Sequence, residues 1–384
     1  MNRRLAAWIG LGLAALALLA GAAWILSLPP APAPSAPAPI AKGEWDATVA
    51  ALKPPKRPRP LIAIVGLNDA TETTDYLMPY GILRRANVAD VTLLATGAGP
   101  VKLYPALRVT PHATTAQFDT RFPQGADYVL VPAMRRDDDP AVMQWLRSQA
   151  AKGAIVIGIC AGAKVVAAAG LLDGKRATTH WYYLTDLREK HPSIRYVPDR
   201  RIVVDGRVAT TTGVSASMPL ALTLIEAIAG RDKARTMAED IGVAHWDSRH
   251  ESHAFTFTRP FAMTAIGNKL AFWNRERFGI ALEAGVDEVS LALVADAWSR
   301  TYRSEVVSFA PTGAPIATRN GVRLLPEEIR ARWGGGPLLA AIDDTPPARA
   351  LDRTLRAIAM RYGSSTAKFV AMQLEYPQTD AAAR

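Results

Sequence analysis

From Leu61 onward, short apolar runs alternate with longer segments whose apolar residues recur three or four positions apart. Strands and helices taking turns in a parallel βα sheet leave this pattern. Leu61–Val65 reads as the first strand, Asp75–Ala86 as a helix, Val91–Ala95 and Tyr128–Pro132 as strands, and Val142–Ala151 as a helix. Ala154–Ile159 (AIVIGI) has no polar side chain, as expected of a central strand covered on both faces. Helical composition resumes from Gly162 to Leu172. Between that strand and that helix stands Cys160, with Gly158 on one side and Ala161 and Gly162 on the other. The pattern places it at the carboxyl end of a central strand, where open α/β sheets bind ligands.

The chain before Leu61 is patterned differently. Asn2-Arg3-Arg4 leads into an uncharged stretch from Leu5 to Leu28, which as a helix would rise about 36 Å against a hydrocarbon core of about 30 Å. Trp8 and Trp24 near its ends and the arginines before it predict a single-pass inner-membrane anchor, with the bulk of the chain periplasmic or otherwise extracytoplasmic. A cleaved signal peptide is the alternative, because the Ala-Pro repeat beyond Pro29 offers small-residue sites. The segment 29–39 reads as a stiff polyproline spacer that holds the folded part off the bilayer. The run Lys53–Arg59 (KPPKRPR) is broken by prolines and has no interleaved aromatics, so it reads as solvated linker rather than a nucleic-acid groove.

Composition adds limits rather than detail. With 49% hydrophobic and 21% charged residues in 384, the chain has the make-up of a folded protein, and its net charge of +10 is spread among acids. A single cysteine excludes an intrachain disulfide and any multi-cysteine metal site. Glycines around Cys160 permit a strained turn that pushes the side chain outward, as in other nucleophile elbows. The amides that open the next helix present their positive end to the sulfur, so a lowered thiol pKa is expected. The other reading of such a cysteine is a small buried hydrophobe.

Gly158–Trp181 (GICAGAKVVAAAGLLDGKRATTHW) resembles the corresponding stretch of the ThiJ/PfpI superfamily, within the class I glutamine-amidotransferase-like fold. It is similar in particular to the amidotransferase-like domain of AraC-type regulators of the GlxA/FtrA kind. The likeness runs from about Leu61 to Val243 and continues in order through Thr212-Gly213-Val214 and Leu220–Glu226. It implies a flavodoxin-like α/β sandwich around a parallel sheet, with Cys160 as the elbow cysteine and His180 as the histidine of the T-T-H motif. The family's acid, which comes from the first helix ahead of an xxGP or xxIP turn, falls on Asp75 before Tyr76-Leu77-Met78-Pro79, with Glu72 as runner-up. A protonated carboxyl there donates to a thiolate, whereas a charged one raises the thiol pKa; sequence leaves both open. Gly158, Ala161, Gly162, Thr212 and Gly213 are the expected pocket residues. The resemblance implies a small-molecule substrate or ligand, no cofactor, and either a homodimer or an appended half-domain that occupies the dimer surface within the chain.

Two departures narrow the chemistry. Where many members have a Gly-Gly loop for an oxyanion hole, this chain has Val131-Pro132-Ala133-Met134. The His-x-Glu pair of true glutaminases is also missing, because His250 is followed directly by Glu251 and then Ser252. Glutaminase activity is not expected. The resemblance implies hydratase, glyoxalase or deglycase, or amide-hydrolase chemistry, with Asp75 positioning or protonating and His180 assisting. Hydration of a carbonyl-like or isocyanide-like group comes first among these. The alternatives are a non-enzymatic sensor, in which the same pocket binds a ligand or Cys160 is oxidised to a sulfinate, a regulator-like protein derived from GlxA/FtrA-type regulators, and a purely structural envelope protein.

His245–His253 gathers three histidines and two carboxylates, but its H-E-x-H spacing is not the H-E-x-x-H that sets two ligands one helical turn apart. No metal is expected; the stretch reads as a polar connection or a loop beside the Cys160 pocket. Beyond it, Asp90–Leu94 through Gly99-Pro100-Val101 aligns without a gap on Glu305–Phe309 through Ala314-Pro315-Ile316, and Arg85 on Arg300. Ala234–Ala238 likewise falls on Ala367–Ala371. A truncated, catalytically silent repeat packed on the first domain accounts for this, chance similarity of two βα units being the alternative. Trp273 and Trp298 are expected in that interface or in plain core. The domain reading is therefore an anchor over 1–28, a linker over 29–60, a ThiJ/PfpI-like domain over 61–243, a connection over 244–276 and a partial repeat over 277–384. No helix-turn-helix pattern occupies the place it has in the similar regulators, so direct DNA binding is not expected.

Overall fold

The computed structural model describes residues 3–33 and 35–377. Two helices, α1 (Arg3–Ser27) and α2 (Lys42–Ala51), precede the sheet. The chain continues through β1 (Leu61–Gly66), β2 (Asp69–Glu72), α3 (Thr73–Ala86), β3 (Asp90–Ala95), β4 (Val101–Tyr104), β5 (Arg108–Thr110) and β6 (Ala113–Thr114). After α4 (Thr115–Arg121), β7 (Tyr128–Val131) and α5 (Pro140–Ala151), β8 (Ile155–Gly158) leads through the Cys160 elbow into α6 (Gly162–Ala168). β9 (Arg176–Ala177), α7 (Leu184–Lys190), β10 (Arg195–Tyr196), β11 (Ile202–Asp205), β12 (Val208–Thr211), α8 (Ser217–Ala229) and α9 (Arg231–Ile241) complete the first half.

Seven strands form the central sheet in the order β11-β12-β8-β7-β1-β3-β6, parallel except for the β11–β12 edge pair. β1, β7 and β8 are buried along their whole length, which explains their unbroken apolar runs. Alternation decides which layer each residue meets: Ile62 and Ile64 join the core under α3 and α8, Ala63 and Val65 the core under α5 and α6. This is the expected flavodoxin-like sandwich, with β8 central and its carboxyl end at the elbow.

The second half begins after α10 (Arg259–Leu270) and comprises β13 (Glu276–Ala281), α11 (Glu288–Ser299), β14 (Ser304–Ala310), β15 (Ile316–Ala317), β16 (Arg323–Leu324), β17 (Glu328–Ile329), α12 (Pro347–Tyr362) and α13 (Ser364–Gln373). β13, β14 and β17 make a parallel three-stranded sheet, and β15 and β16 extend the β5-β4-β2 ribbon of the first half. The free side of β13 is closed by a loop: Gly279 N donates to Pro337 O at 3.0 Å and Leu339 N to Gly279 O at 2.9 Å, which removes an open strand edge. Trp298 is buried against Phe278 and Tyr362 within this half, whereas Trp273 is 70% exposed and lies in no interface between the halves.

The membrane expectation is overturned. Among the described residues no helix is long and apolar enough to cross a membrane. α1 does form, but its end is tied to the body of the protein: Arg259 N donates to Pro29 O at 2.8 Å, its guanidinium to Leu26 O at 2.7 Å, and Trp24 meets Phe257 with centroids 6.0 Å apart. The proline-rich stretch is no stand-off spacer either, since Ser35 Oγ donates to Glu251 and lies 3.3 Å from His253 Nε2. The basic run is likewise used internally, with Arg57 paired to Asp127 at 2.6 Å and Arg59 to Asp90 at 2.9 Å. An inner-membrane location with a periplasmic bulk is therefore withdrawn, together with the membrane as a partner.

Candidate active site

Cys160 carries the backbone strain of the elbow itself, with φ at +55°. A non-glycine residue in that region costs on the order of 1 kcal/mol or more and persists only where its surroundings hold it. Here Cys160 N donates to Thr211 Oγ1 at 3.1 Å, and Cys160 O accepts from Thr179 Oγ1 at 3.1 Å. The glycines serve clearance instead of φ. A Cβ on Gly158 would stand 2.7 Å from Ala163 Cα, and one on Gly162 only 1.9 Å from Val131 O. Close packing of α6 on β7 and β8 thus demands the G-x-C-x-G pattern.

The thiol is 5% exposed and held well above its ordinary pKa. Burial is the main cause, followed by the Asp75 and Glu72 carboxyls; the Ala161 amide opposes them and is outweighed. The expected lowering by the helix dipole does not win, because a seven-residue helix cannot offset full desolvation beside two acids. At neutral pH the resting group is a thiol.

Asp75 lies on the first turn of α3, wholly buried. Its Oδ2 accepts from Ala133 N at 3.1 Å, and its Oδ1 is 3.5 Å from the Ser217 hydroxyl that donates to it. Burial pushes its carboxyl up to about 7, against the lowering effect of the Ala133 amide and Arg300. The amide that a Gly-Gly loop would have offered an oxyanion is therefore committed to the acid. Glu72, at the end of β2, is also buried and held well above the usual carboxylate range by desolvation. Its Oε1 accepts from Arg300 at 2.6 Å, and Arg300 Nε donates to Asp296 Oδ1 at 2.6 Å.

His180 is placed beside the site but has no free nitrogen. Tyr182 N donates to its Nδ1 at 3.1 Å, and its Nε2 lies 2.9 Å from Gln373 O, which assigns the neutral ring with hydrogen on Nε2. Burial lowers its pKa, consistent with that neutral form. The ring anchors the end of α13 and has no lone pair for Cys160. Gly213 N donates to Glu375, whose Oε1 is 3.0 Å from His250 Nε2. Thr212 lines a cavity of about 390 Å³ with Thr179, Tyr182, Phe257 and Glu375, which neither Cys160 nor Asp75 enters. His250 is thus part of the clasp on the C-terminal turn, and His253 pairs with Glu251 at 3.2 Å on the surface.

The structure brings Cys160, Asp75, Glu72 and the elbow glycines together, and adds Arg300, Asp296, Ser217 and Glu375, which were not among the residues expected from the sequence. The alignment of Arg85 on Arg300 was the available signal for the first. Tyr183 completes the surroundings: its phenol is raised by burial and then by the neighbouring Cys160.

Residues 62–227 match the family model described as the DJ-1/PfpI family. The isonitrile hydratase of Pseudomonas putida is 34% identical over 166 residues, covering 42% of this chain and 69% of that protein. Protein dj-1beta of Drosophila melanogaster is 27% identical over 188 residues, 48% of this chain and 97% of that one. The HTH-type transcriptional regulator CdhR of Pseudomonas aeruginosa is 39% identical over 100 residues, 26% of this chain and 30% of the regulator. Among solved structures, Drosophila melanogaster DJ-1beta covers 49% of this chain and 100% of its own at 25% identity, with a TM-score of 0.44. With a relative 34% identical and covered over 69% of its length, and the family model matching residues 62–227, the chain belongs to the DJ-1/PfpI family.

Proposed function

We propose that this protein is a cysteine-dependent hydratase of small electrophilic carbon compounds, with isonitriles as the first substrate class. The observation that carries the reading is a buried thiol kept protonated beside a buried carboxyl that titrates near neutrality. Such a pair exchanges one proton within the site, which is what addition of a thiol to a carbon with a lone pair needs. The similarity to an isonitrile hydratase supports the same substrate class.

The steps balance with water alone. Sγ bonds to the terminal carbon of R–NC while its proton passes to ionised Asp75 and from there to that carbon, giving the thioimidate R–N=CH–S–Cys160. Water then adds to the same carbon, with Asp75 taking a proton from the oxygen and nitrogen gaining one. Collapse of the adduct breaks the C–S bond, releases R–NH–CHO and returns the proton to the thiol.

Purified protein incubated with cyclohexyl isocyanide is expected to form N-cyclohexylformamide, followed by chromatography, and methylglyoxal serves as the carbonyl comparison. Below about 7 Asp75 is protonated and cannot accept the thiol proton, so the rate rises with pH through about 7 and falls about tenfold per unit beneath it. Absence of formamide across an isonitrile panel, from protein whose Cys160 still alkylates, would overturn the reading.

The raised thiol also separates catalysis from redox sensing. Peroxide attacks the thiolate, so at pH 7 Cys160 is expected to oxidise more slowly than free cysteine. Sulfinate appearing by mass spectrometry faster than in free cysteine would restore the sensor.

A further inference from the structure

From β13 to β17 the elements of the second half recur at an offset of 215 residues, from Leu61 to Glu276: β1 on β13, α3 on α11, β3 on β14, β4 on β15, β5 on β16 and β6 on β17. The β3–β6 pairs Leu94↔Ala113 and Ala95↔Thr114 return as Phe309↔Glu328 and Ala310↔Ile329. The two copies also meet each other in a particular way. β5 and β16 pair antiparallel with Val109 opposite Leu324, its own counterpart at that offset. A strand paired antiparallel to its copy about equivalent residues is the mark of a two-fold axis through that point.

Helices α3 and α11 obey the same axis. Gly81 leaves room for Glu288 and Val289, whose side chains a Cβ there would meet at 2.8 and 2.6 Å. Across the axis, Asp296 stands at the position of Gly81, and its Oδ2 accepts from Thr74, the counterpart of Val289, at 3.4 Å. Ion pairs are exchanged as well: Arg85 pairs with Asp287, and Arg300 with Glu72. Each pair joins the positions of the other, since Arg85 corresponds to Arg300 and Glu72 to Asp287. The copies differ at the chemistry, for Asp75 has Ser290 as its counterpart and no second cysteine exists.

We propose that residues 276–376 are a built-in partner protomer whose Arg300 and Asp296 are positioning residues for Asp75 across the pseudo-two-fold axis. This rests on Asp75 being the acid of the Cys160 site. The charged groups that bear on Asp75 and Cys160 are Glu72 beside α3, Asp296 and Arg300 from α11 and its end, and Glu375 after α13. Two of the acids, Glu72 and Asp296, share the guanidinium, which donates to each of them at 2.6 Å. Glu72, which pairs with Arg300, and Thr74, which donates to Asp296, stand just before Asp75 in the chain. Arg300 draws its pKa down and Asp296 pushes it up.

The test reads Asp75 directly and needs no substrate. In full-length protein carrying ¹³C in its aspartate carboxyls, the Asp75 resonance is assigned by its loss in D75N and titrated with pH. Arg300→Met is expected to raise the midpoint by about one unit or more, and Asp296→Asn to lower it. Arg85→Met removes the symmetric ion pair, loosens the same interface and leaves the midpoint in place. Opposite shifts from two neighbouring substitutions cannot come from loosened packing. An unmoved midpoint in Asp296→Asn, or one in Arg300→Met that does not rise, overturns the proposal; if Arg300→Met fails to fold, Asp296→Asn decides alone. Failure of the hydratase reading would show in formamide assays and leave these titrations untouched.

Discussion

Cys160→Ala is expected to abolish formamide formation, with turnover at least about a thousand-fold below the unchanged protein. Only the sulfur can form the covalent intermediate: His180 has both nitrogens engaged by backbone, and the nearby hydroxyls of Thr179 and Thr211 bond to the elbow's own backbone. The fold is expected to survive. Alanine keeps the Cβ at φ +55°, and removing one sulfur from a buried site leaves a cavity worth about 1 kcal/mol. Circular dichroism and denaturant titration check the fold, and substrate assays the loss. A variant that keeps a tenth of its activity or more would show that the elbow sulfur is not the nucleophile. Cys160→Ser is expected to be nearly as inactive, because a serine hydroxyl is far less acidic than a thiol and Asp75 is too weak a base to activate it.

Gly162→Ala is expected to destabilise the protein by about 3 kcal/mol or more, with insoluble or unfolded material as the extreme. Its Cβ would lie 1.9 Å from Val131 O and 2.9 Å from both Pro132 C and Pro132 O. All three are backbone atoms of a central strand and its continuation, so no side chain can turn aside. Relief requires α6 to move off the sheet, which would also drag the Cys160 backbone from its Thr211 and Thr179 bonds. Gly43→Ala in α2 is the contrast: it faces open space, and alanine there is expected to stabilise by about 1 kcal/mol or less. Urea midpoints for the two variants measure both. A Gly162→Ala protein within about 0.5 kcal/mol of the parent would mean that the helix can shift freely at the elbow.

The strands and helices around the sheet were legible because their signals are local. Ala154–Ile159 reads as a central strand from its apolar run, and β8 is buried throughout. α3 begins at Thr73, two residues ahead of the expected Asp75, with Glu72 in its N-cap position. The family resemblance pointed to Asp75 ahead of Pro79, and α3 carries it buried near Cys160. Its state was not legible, because that depends on how many carboxyls and cations converge from outside its own helix.

The N-terminal segment shows the opposite case. The uncharged run from Leu5 to Leu28 led to the expectation of a spanning helix, yet no helix among the described residues is long and apolar enough to cross a membrane, and Arg259 and Phe257, more than two hundred residues away in sequence, tie the end of α1 to the body. The elbow's ionisation also turned on distant contacts: the helix amides are a property of the local sequence, whereas Asp75, Glu72 and burial are not. By itself the sequence determined the sheet and the elbow, since glycine clearance and strand burial are written within a few neighbouring residues. Only the tertiary structure decided that His180 anchors the C-terminal turn, and that Arg300 and Asp296 reach the site. Both depend on the second half packing back against the first, and charges brought together from 228 residues apart have no local signature.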